Sequence, residues 1–188
     1  MNVYDFDNTL YKGESGIALF FFYLRKRPSL LRMMPIVVQG GLKYKLGLVK
    51  IDEVARRYAK YIEVFLRGIQ DYKADAKEFW DRYEHRLQPF YKNMQKSDDL
   101  IVSASPEQSL EEVCKRMGVS RWIGTRIDEE NARLTFVCFR ENKAKAFLER
   151  YPNEQIDNLY TDSMYDTPLM ELSKHVYLVR KGKLIKIK

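Results

Sequence analysis

Asp5 and Asp7 stand two residues apart in Asp5-Phe6-Asp7-Asn8-Thr9, directly after a short apolar run. Carboxylates spaced this way beyond a strand point to the same side. One can attack an electrophile while the other carries protons. Alone the pair is a weak signal, because surface loops contain it often. A second acidic pair, Asp162 and Asp166, lies in Thr161-Asp162-Ser163-Met164-Tyr165-Asp166, after an apolar run ending at Tyr160. Carboxylates from two strand ends can hold one Mg²⁺, which takes a few carboxylates, waters and phosphate oxygens. The plainer reading is that Asp162 and Asp166 favour the dipole of a following helix. Ser103 ends another apolar run, just ahead of a helix start marked by Pro106. A hydroxyl beside free backbone N–H groups suits an anion, and Ser105 is the better candidate for helix capping. Lys143 opens a helix, where a cation opposes the dipole, and that misplacement favours a use in neutralising charge.

Such residues need a scaffold that gathers strand ends. Residues 2–6 and, more clearly, 100–104 read as buried strands. A helix follows Pro106, with Leu110, Val113, Cys114 and Met117 on one face and Gly118 as its stop. Further strands are expected over 122–127, 134–138 (a hairpin partner), 156–160, 175–179 and, after the turn Arg180-Lys181-Gly182-Lys183, 184–187. A helix over 143–150 buries Ala146 and Phe147 and stops at Pro152. Strands alternating with helices predict an α/β protein with a parallel sheet, whose strand carboxyl ends bind ligands. Residues 14–96 break that rhythm. Ile51, Val54, Ala55, Tyr58, Ile62, Phe65 and Leu66 keep helical spacing, as do Ile69, Tyr72, Ala76, Phe79, Trp80, Tyr83 and Leu87. The expected organisation is an α/β core from residues 1–13 and 97–188 with a helical cap, 14–96, inserted after the first strand.

In chain order, DxDxT, an apolar run ending in Ser, Lys, and DSxxD resemble the four-motif set of the haloacid dehalogenase-like phosphatases. The resemblance covers residues 1–13 and 98–180. The long helical insertion resembles the phosphoserine-phosphatase-like branch. Within it, Val102-Ser103-Ala104-Ser105-Pro106-Glu107 and Cys138-Phe139-Arg140-Glu141-Asn142-Lys143 look most like bacterial phosphatidylglycerophosphatase C and its relatives. The resemblance implies a Rossmann-like core and Mg²⁺-dependent phosphomonoester hydrolysis through an aspartyl phosphate. It implies Asp5 as nucleophile and Asp7 as the acid that protonates the leaving group and later activates water. It implies Mg²⁺ held by the Asp5 carboxylate, the Asp7 main-chain carbonyl and Asp162, with Asp166 supporting. Ser103 and the Ala104 N–H would bind the transferring phosphoryl group, Lys143 would balance its charge, and Thr9 would support the loop. The physics agrees, since a phosphoryl group needs positioning and charge neutralisation above all. Glu14 matches an acidic position that touches the substrate amine in phosphoserine phosphatases; otherwise it is an acid at a helix start. The chain departs from the family pattern at Thr161 and near Arg140, where relatives often have Gly, and Lys145 competes with Lys143 for the motif lysine.

The 188 residues are 45% hydrophobic and 13% aromatic, which provides a sizeable core and excludes a disordered chain. No apolar run reaches the roughly 18 residues of a membrane span, and the first ten residues carry no basic region of a secretory signal. Cys114 and Cys138 form no CxxC and read as reduced core thiols of a cytoplasmic protein. The net charge of +7 is concentrated: residues 25–60 hold ten basic and two acidic residues, 10 − 2 = +8, leaving −1 for the rest. That field implies an anionic partner or, more simply, a solvated helix face. Apolar residues 16–24 and 30–38 beside these cations suit a peripheral helix on an anionic membrane, or the inside of the cap with snorkelling Lys and Arg. Tyr44, Tyr58 and Tyr61 could stack on bases, but no nucleic-acid motif accompanies them. The expected partner is a small phosphorylated metabolite or a lipid phosphate head group. The alternative is a catalytically weak protein of this fold that binds anionic membrane or nucleic acid.

Overall fold

The computed structural model describes residues 1–33, 35, 38–39, 53 and 57–188. Seven strands form one sheet in the order β4-β3-β2-β1-β5-β6-β7. They are β1 (Asn2–Tyr4), β2 (Leu100–Pro106), β3 (Arg121–Asp128), β4 (Arg133–Phe136), β5 (Ile156–Thr161), β6 (Ser173–Arg180) and β7 (Lys183–Lys186). β3, β2, β1, β5 and β6 run parallel, and β4 and β7 close the edges as antiparallel hairpin partners. From β1 the chain builds outward on one side through β2 and β3, then returns to the other side at β5. The crevice for a ligand therefore lies at the carboxyl ends of β1 and β5, where Asp5 and Asp162 follow their strands. The hairpin into β7 turns at Lys181 and Gly182 with φ of 50° and 76°, as a tight two-residue turn requires.

The helices are α1 (Ser15–Lys26), α2 (Ala59–Arg67), α3 (Tyr72–Tyr83), α4 (Glu107–Met117), α5 (Glu141–Arg150) and α6 (Thr167–Glu171). α1, α2 and α3 lie between β1 and β2 in the chain; α4, α5 and α6 are crossovers between strands. Period-2 alternation assigns side chains to opposite faces of the sheet. Val3, Leu100, Val102 and Leu159 pack on Phe147, Leu169 and Met170. Tyr4, Ile101 and Tyr160 pack on the other face with Leu110, Val113, Phe79 and Trp80. Tyr4, Tyr160 and Tyr177 stand in register across β1, β5 and β6 and stack with centroids 4.5 and 5.0 Å apart. At the opposite strand ends, Asp99 accepts from the Asn2 amide, the Tyr91 hydroxyl and the Lys96 N–H, which fixes the entry into β2.

The expected strands and crossover helices are present; β2, β3, β5, β6 and α5 extend one to three residues beyond the predicted bounds, and β4 stops at Phe136, short of the expected Cys138. The first strand is shorter and ends at Tyr4. Two readings are corrected. The helix through Trp80 stops at Tyr83; a 3-10 turn (Glu84–Arg86) follows, and Leu87 leaves it extended to pair with Tyr11. Ser105 caps nothing, because β2 runs on through it and its hydroxyl lies 2.7 Å from that of Ser15. Met34, Ile36, Val37, Ile51, Val54 and Ala55 from the predicted apolar patterns, together with Lys43, Tyr44, Lys45, Lys50 and Arg56 from the basic segment, lie outside the described residues.

Candidate active site

The loop after β1 is wound on one acceptor. The N–H groups of Thr9, Leu10 and Tyr11 all donate to the Phe6 carbonyl, and the Asn8 N–H reaches the Gly13 carbonyl. Asn8 adopts φ 57°, a value this residue tolerates. Gly13 sits at φ 106°, a backbone conformation that strains any residue with a Cβ. This winding holds Asp5 buried at the strand end, its N–H donating to the Tyr160 carbonyl at 2.9 Å. It also turns Asp7 toward α1, where the Ser15 N–H donates to Asp7 Oδ1 at 2.7 Å. That N–H is one of the unpaired donors at a helix start.

Three further elements converge on Asp5. Lys143, the third residue of α5 rather than its first, is 4% exposed. Its Nζ lies 2.6 Å from Asp5 Oδ1 and 2.9 Å from Asp166 Oδ1. Lys145 points away and is exposed. Asp166 is held in turn by the Thr161 hydroxyl at 2.7 Å, a contact that glycine at this position could not make. Thr9 Oγ1 donates to Asp5 Oδ2 at 3.3 Å. Ser103, expected at the strand end, is instead buried within β2, just past Val102 where the register with β3 breaks; its Oγ accepts from the Ser105 N–H at 3.1 Å, with Ala104 exposed beside it. Asp162 is half-buried and follows β5, where Arg180 Nη1 donates to its carbonyl at 2.5 Å. Glu14 stands at the N-cap of α1 without capping it; its carboxylate accepts from the Asn8 amide at 2.6 Å.

One buried ammonium does not balance this much carboxylate. Burial, reinforced by the charges of Asp166 and Asp7, pushes Asp5 above its ordinary value despite Lys143. Burial likewise pushes Asp7 up to about 6, against the Ser15 hydrogen bonds that favour its charge. Asp162 is raised by burial and by Glu14 and Asp166. Lys143 is held well above its ordinary value: burial opposes its charge, and Asp5 and Asp166 overcome that. The cluster is thus short of positive charge. Among the described residues no group of three or more His, Cys, Asp or Glu side chains forms a ready metal cage. Two carboxylates and a main-chain carbonyl still match the donor set of Mg²⁺, which keeps waters and substrate oxygens as its remaining ligands.

Arg140 precedes α5 at φ 50° and ψ −121°, a conformation that strains any residue with a Cβ. Its guanidinium lies 4.4 Å from the Tyr165 ring centroid and 5.4 Å from that of Phe139, spanning the loops that carry Lys143 and Asp166. Sequence reading missed Ser15, Thr161 as a partner of Asp166, and this loop clasp. Only the glycine expected near Arg140 signalled the last.

A sequence profile of haloacid dehalogenase-like hydrolases matches residues 3–171. The chain belongs to that family. A probable phosphatase of Mycobacterium tuberculosis is 32% identical to this haloacid dehalogenase-like hydrolase over 91 residues, 44% of this chain and 31% of that protein. The chain thus spans about a third of the length of the curated relatives it matches. Among solved structures, a protein of unknown function from Bordetella pertussis Tohama I aligns with a TM-score of 0.72 and 17% identity, covering 91% of this chain and 85% of that one. A phosphoserine phosphohydrolase-like protein from Francisella tularensis aligns at 0.61 and 17% identity, covering 97% and 88%. A substrate-bound phosphoserine phosphatase complex aligns at 0.56 and 12% identity, covering 93% and 82%. These likenesses establish the Rossmann-like α/β fold of the family.

Proposed function

We propose that this haloacid dehalogenase-like hydrolase is a phosphatase, a Mg²⁺-dependent phosphomonoester hydrolase that works through an aspartyl phosphate on Asp5. The observation that carries the reading is Lys143 Nζ, buried between Asp5 and Asp166 at 2.6 and 2.9 Å. Asp5 Oδ1 is held by Lys143 at 2.6 Å, and Oδ2 accepts the longer bond of 3.3 Å from Thr9 Oγ1, so Oδ2 is the freer oxygen to attack phosphorus. As the Asp5 Oδ2–P bond forms, the bond from phosphorus to the leaving oxygen breaks, and Asp7 gives that oxygen its proton. Asp7 then takes a proton from the water that attacks phosphorus, which frees Asp5 and releases phosphate. A carboxyl raised to about 6 suits a group that must first give and then take a proton. Ser103 and the Ala104 N–H bind the transferring group, and Lys143 balances its charge.

The Asp5 carboxylate, the Asp7 main-chain carbonyl and Asp162 would hold Mg²⁺, with Asp166 supporting. When bound, the ion supplies the positive charge that the phosphoryl oxygens and these carboxylates require. Residues 14–96 act as the cap over a core of 1–13 and 97–188. The substrate is a small phosphorylated metabolite or a lipid phosphate head group. Peripheral contact with an anionic membrane is part of the same reading. It is supported by Ile17 and Phe21, 58% and 48% exposed on α1 ahead of Arg25 and Lys26. None of the described helices is long and apolar enough to cross a membrane.

The test is phosphate release from p-nitrophenyl phosphate, phosphoserine and phosphatidylglycerophosphate in detergent, with and without Mg²⁺. Release that depends on Mg²⁺ and falls by about 10³-fold or more in Asp5→Asn is expected. A folded protein that releases phosphate from none of these esters overturns the reading.

A further inference from the structure

A cleft of about 780 Å³ opens beside Asn8 and Asp162 rather than under α1. Its walls come from three places: the loop after β1, residues 88–90, and the β6–β7 hairpin with the residue that follows β5. Asn8, the residue after Asp7, and Asp162, the residue after β5, line it. The charges on its wall are Lys12, Arg180 and Lys181 against the single carboxylate of Asp162, a surplus of 3 − 1 = +2.

This surplus is built by the backbone. The Lys12 N–H donates to the Arg86 carbonyl at 2.9 Å, and the Gln88 N–H to the Leu10 carbonyl at 2.7 Å, so the loop carrying Lys12 is pinned along the cleft. Arg180 is fixed by its bond to the Asp162 carbonyl, which ties the hairpin to the metal-motif loop. The positive φ of Lys181 and Gly182 folds the hairpin tip back so that Lys181 joins the same wall. None of these cations belongs to the basic segment 25–60 that dominates the composition.

A hydrolysed phosphate is served by Lys143 and the strand ends, so the cleft cations answer a different negative group. We propose that the cleft binds a second anionic group of the substrate, a carboxylate or phosphate on the part of the molecule that is not hydrolysed. The substrate is then a phosphomonoester with at least one further anion. This rests on the hydrolase reading above and narrows its substrate class. Lys12 and Lys181 act in ground-state binding and touch no reacting atom.

The experiment compares fructose 6-phosphate with fructose 1,6-bisphosphate, and glycerol 3-phosphate with 3-phosphoglycerate, in the wild type and in Lys12→Ala/Lys181→Ala. Both side chains are exposed, so the variant keeps its core. Charge-assisted hydrogen bonds predict that kcat/KM for the doubly anionic member exceeds that of its partner by about tenfold. That preference should vanish in the double variant through KM and shrink with added salt. Turnover of p-nitrophenyl phosphate should be unchanged by the substitutions. Equal kcat/KM within each pair, or a preference that survives the double variant, overturns the assignment. So does a change in p-nitrophenyl phosphate turnover on adding free sulfate that the double variant abolishes, because the anion would then be a separate effector. Calorimetric binding of the same pairs decides the matter apart from turnover. If no ester is hydrolysed, the hydrolase reading falls, while tighter binding of the bisphosphate by the wild type alone still upholds the anion site and equal binding removes it.

Discussion

The strand-end cluster and the helices between β1 and β2 face the same site and are held by opposite means. The cluster is charge on charge: Asp5, Lys143, Asp166 and Thr161 connect through contacts of 2.6 to 2.9 Å in near-complete burial. The helices are ring on ring. Trp80 meets Phe79, Phe6 and Tyr11 edge-on at 4.9 to 5.7 Å, and Phe22 meets Phe79 at 5.7 Å. Their polar ties to the core sit at separate points: Trp80 Nε1 to Ser109, Ser15 to Asp7 and Ser105, and Arg116 of α4 to Asp81 and the Lys77 carbonyl of α3. A buried charge network fails when any member is removed, because the rest are left unpaired. An aromatic core tolerates exchange at constant volume. One region is therefore specified atom by atom and the other by shape.

Lys143→Met presses hardest on this contrast. It should destabilise the protein by about 3–5 kcal/mol, since two buried carboxylates lose their ammonium, and abolish measurable phosphate release. Lys143→Arg should fail as well, because a planar guanidinium cannot replace a point charge between two carboxylates. Phosphatase activity retained by Lys143→Arg would show that net charge alone is required there. Trp80→Ala should cost a comparable 3–5 kcal/mol in urea denaturation. Phe79→Leu should cost less than about 2 kcal/mol and keep kcat, as expected of a side specified by volume.

Ser15→Ala is the finer probe. Losing the bond to Ser105 should cost about 1 kcal/mol and raise KM more than it lowers kcat, because the hydroxyl joins helix to strand end and touches no reacting atom. An equal fall in kcat would place it in the chemistry. The smallest effect is expected at Glu78, which with Asp75 holds Lys26 across α1 and α3. Lys26 lowers the Glu78 carboxyl below its ordinary value, so its contribution is present above the unfolded value of about 4.3 and lost as pH falls below it. The melting-temperature difference between wild type and Glu78→Gln should therefore be small at neutral pH and disappear in acid.

The same contrast governs what could be read from sequence. Strand ends announce themselves: an apolar run stops, a carboxylate or hydroxyl follows, and the parallel sheet brings all of them to one edge. Asp5, Asp162 and Asp166 were read on that ground, Ser103 on an apolar run that in fact continues past it, and Lys143 on its misplacement at a helix start. Contacts between distant loops carry no such mark. The Ser15–Ser105 bond joins residues 90 apart, and nothing local distinguishes either serine. Leu87 fits a helical stripe in sequence, yet pairing with Tyr11 draws it out of the helix. The cations of the cleft come from two separate segments, so composition pointed instead to residues 25–60, much of which lies outside the described residues.

The stacked tyrosines across β1, β5 and β6 give the sheet an optical signature. Burial raises the Tyr4 phenol far above its ordinary value and that of Tyr160 in the same direction. In an alkaline absorbance titration the Tyr4 and Tyr160 rings should stay silent while the fold holds. Their late, steep appearance would then mark the moment the strands part, and would distinguish loss of the catalytic platform from loosening of the helices above it.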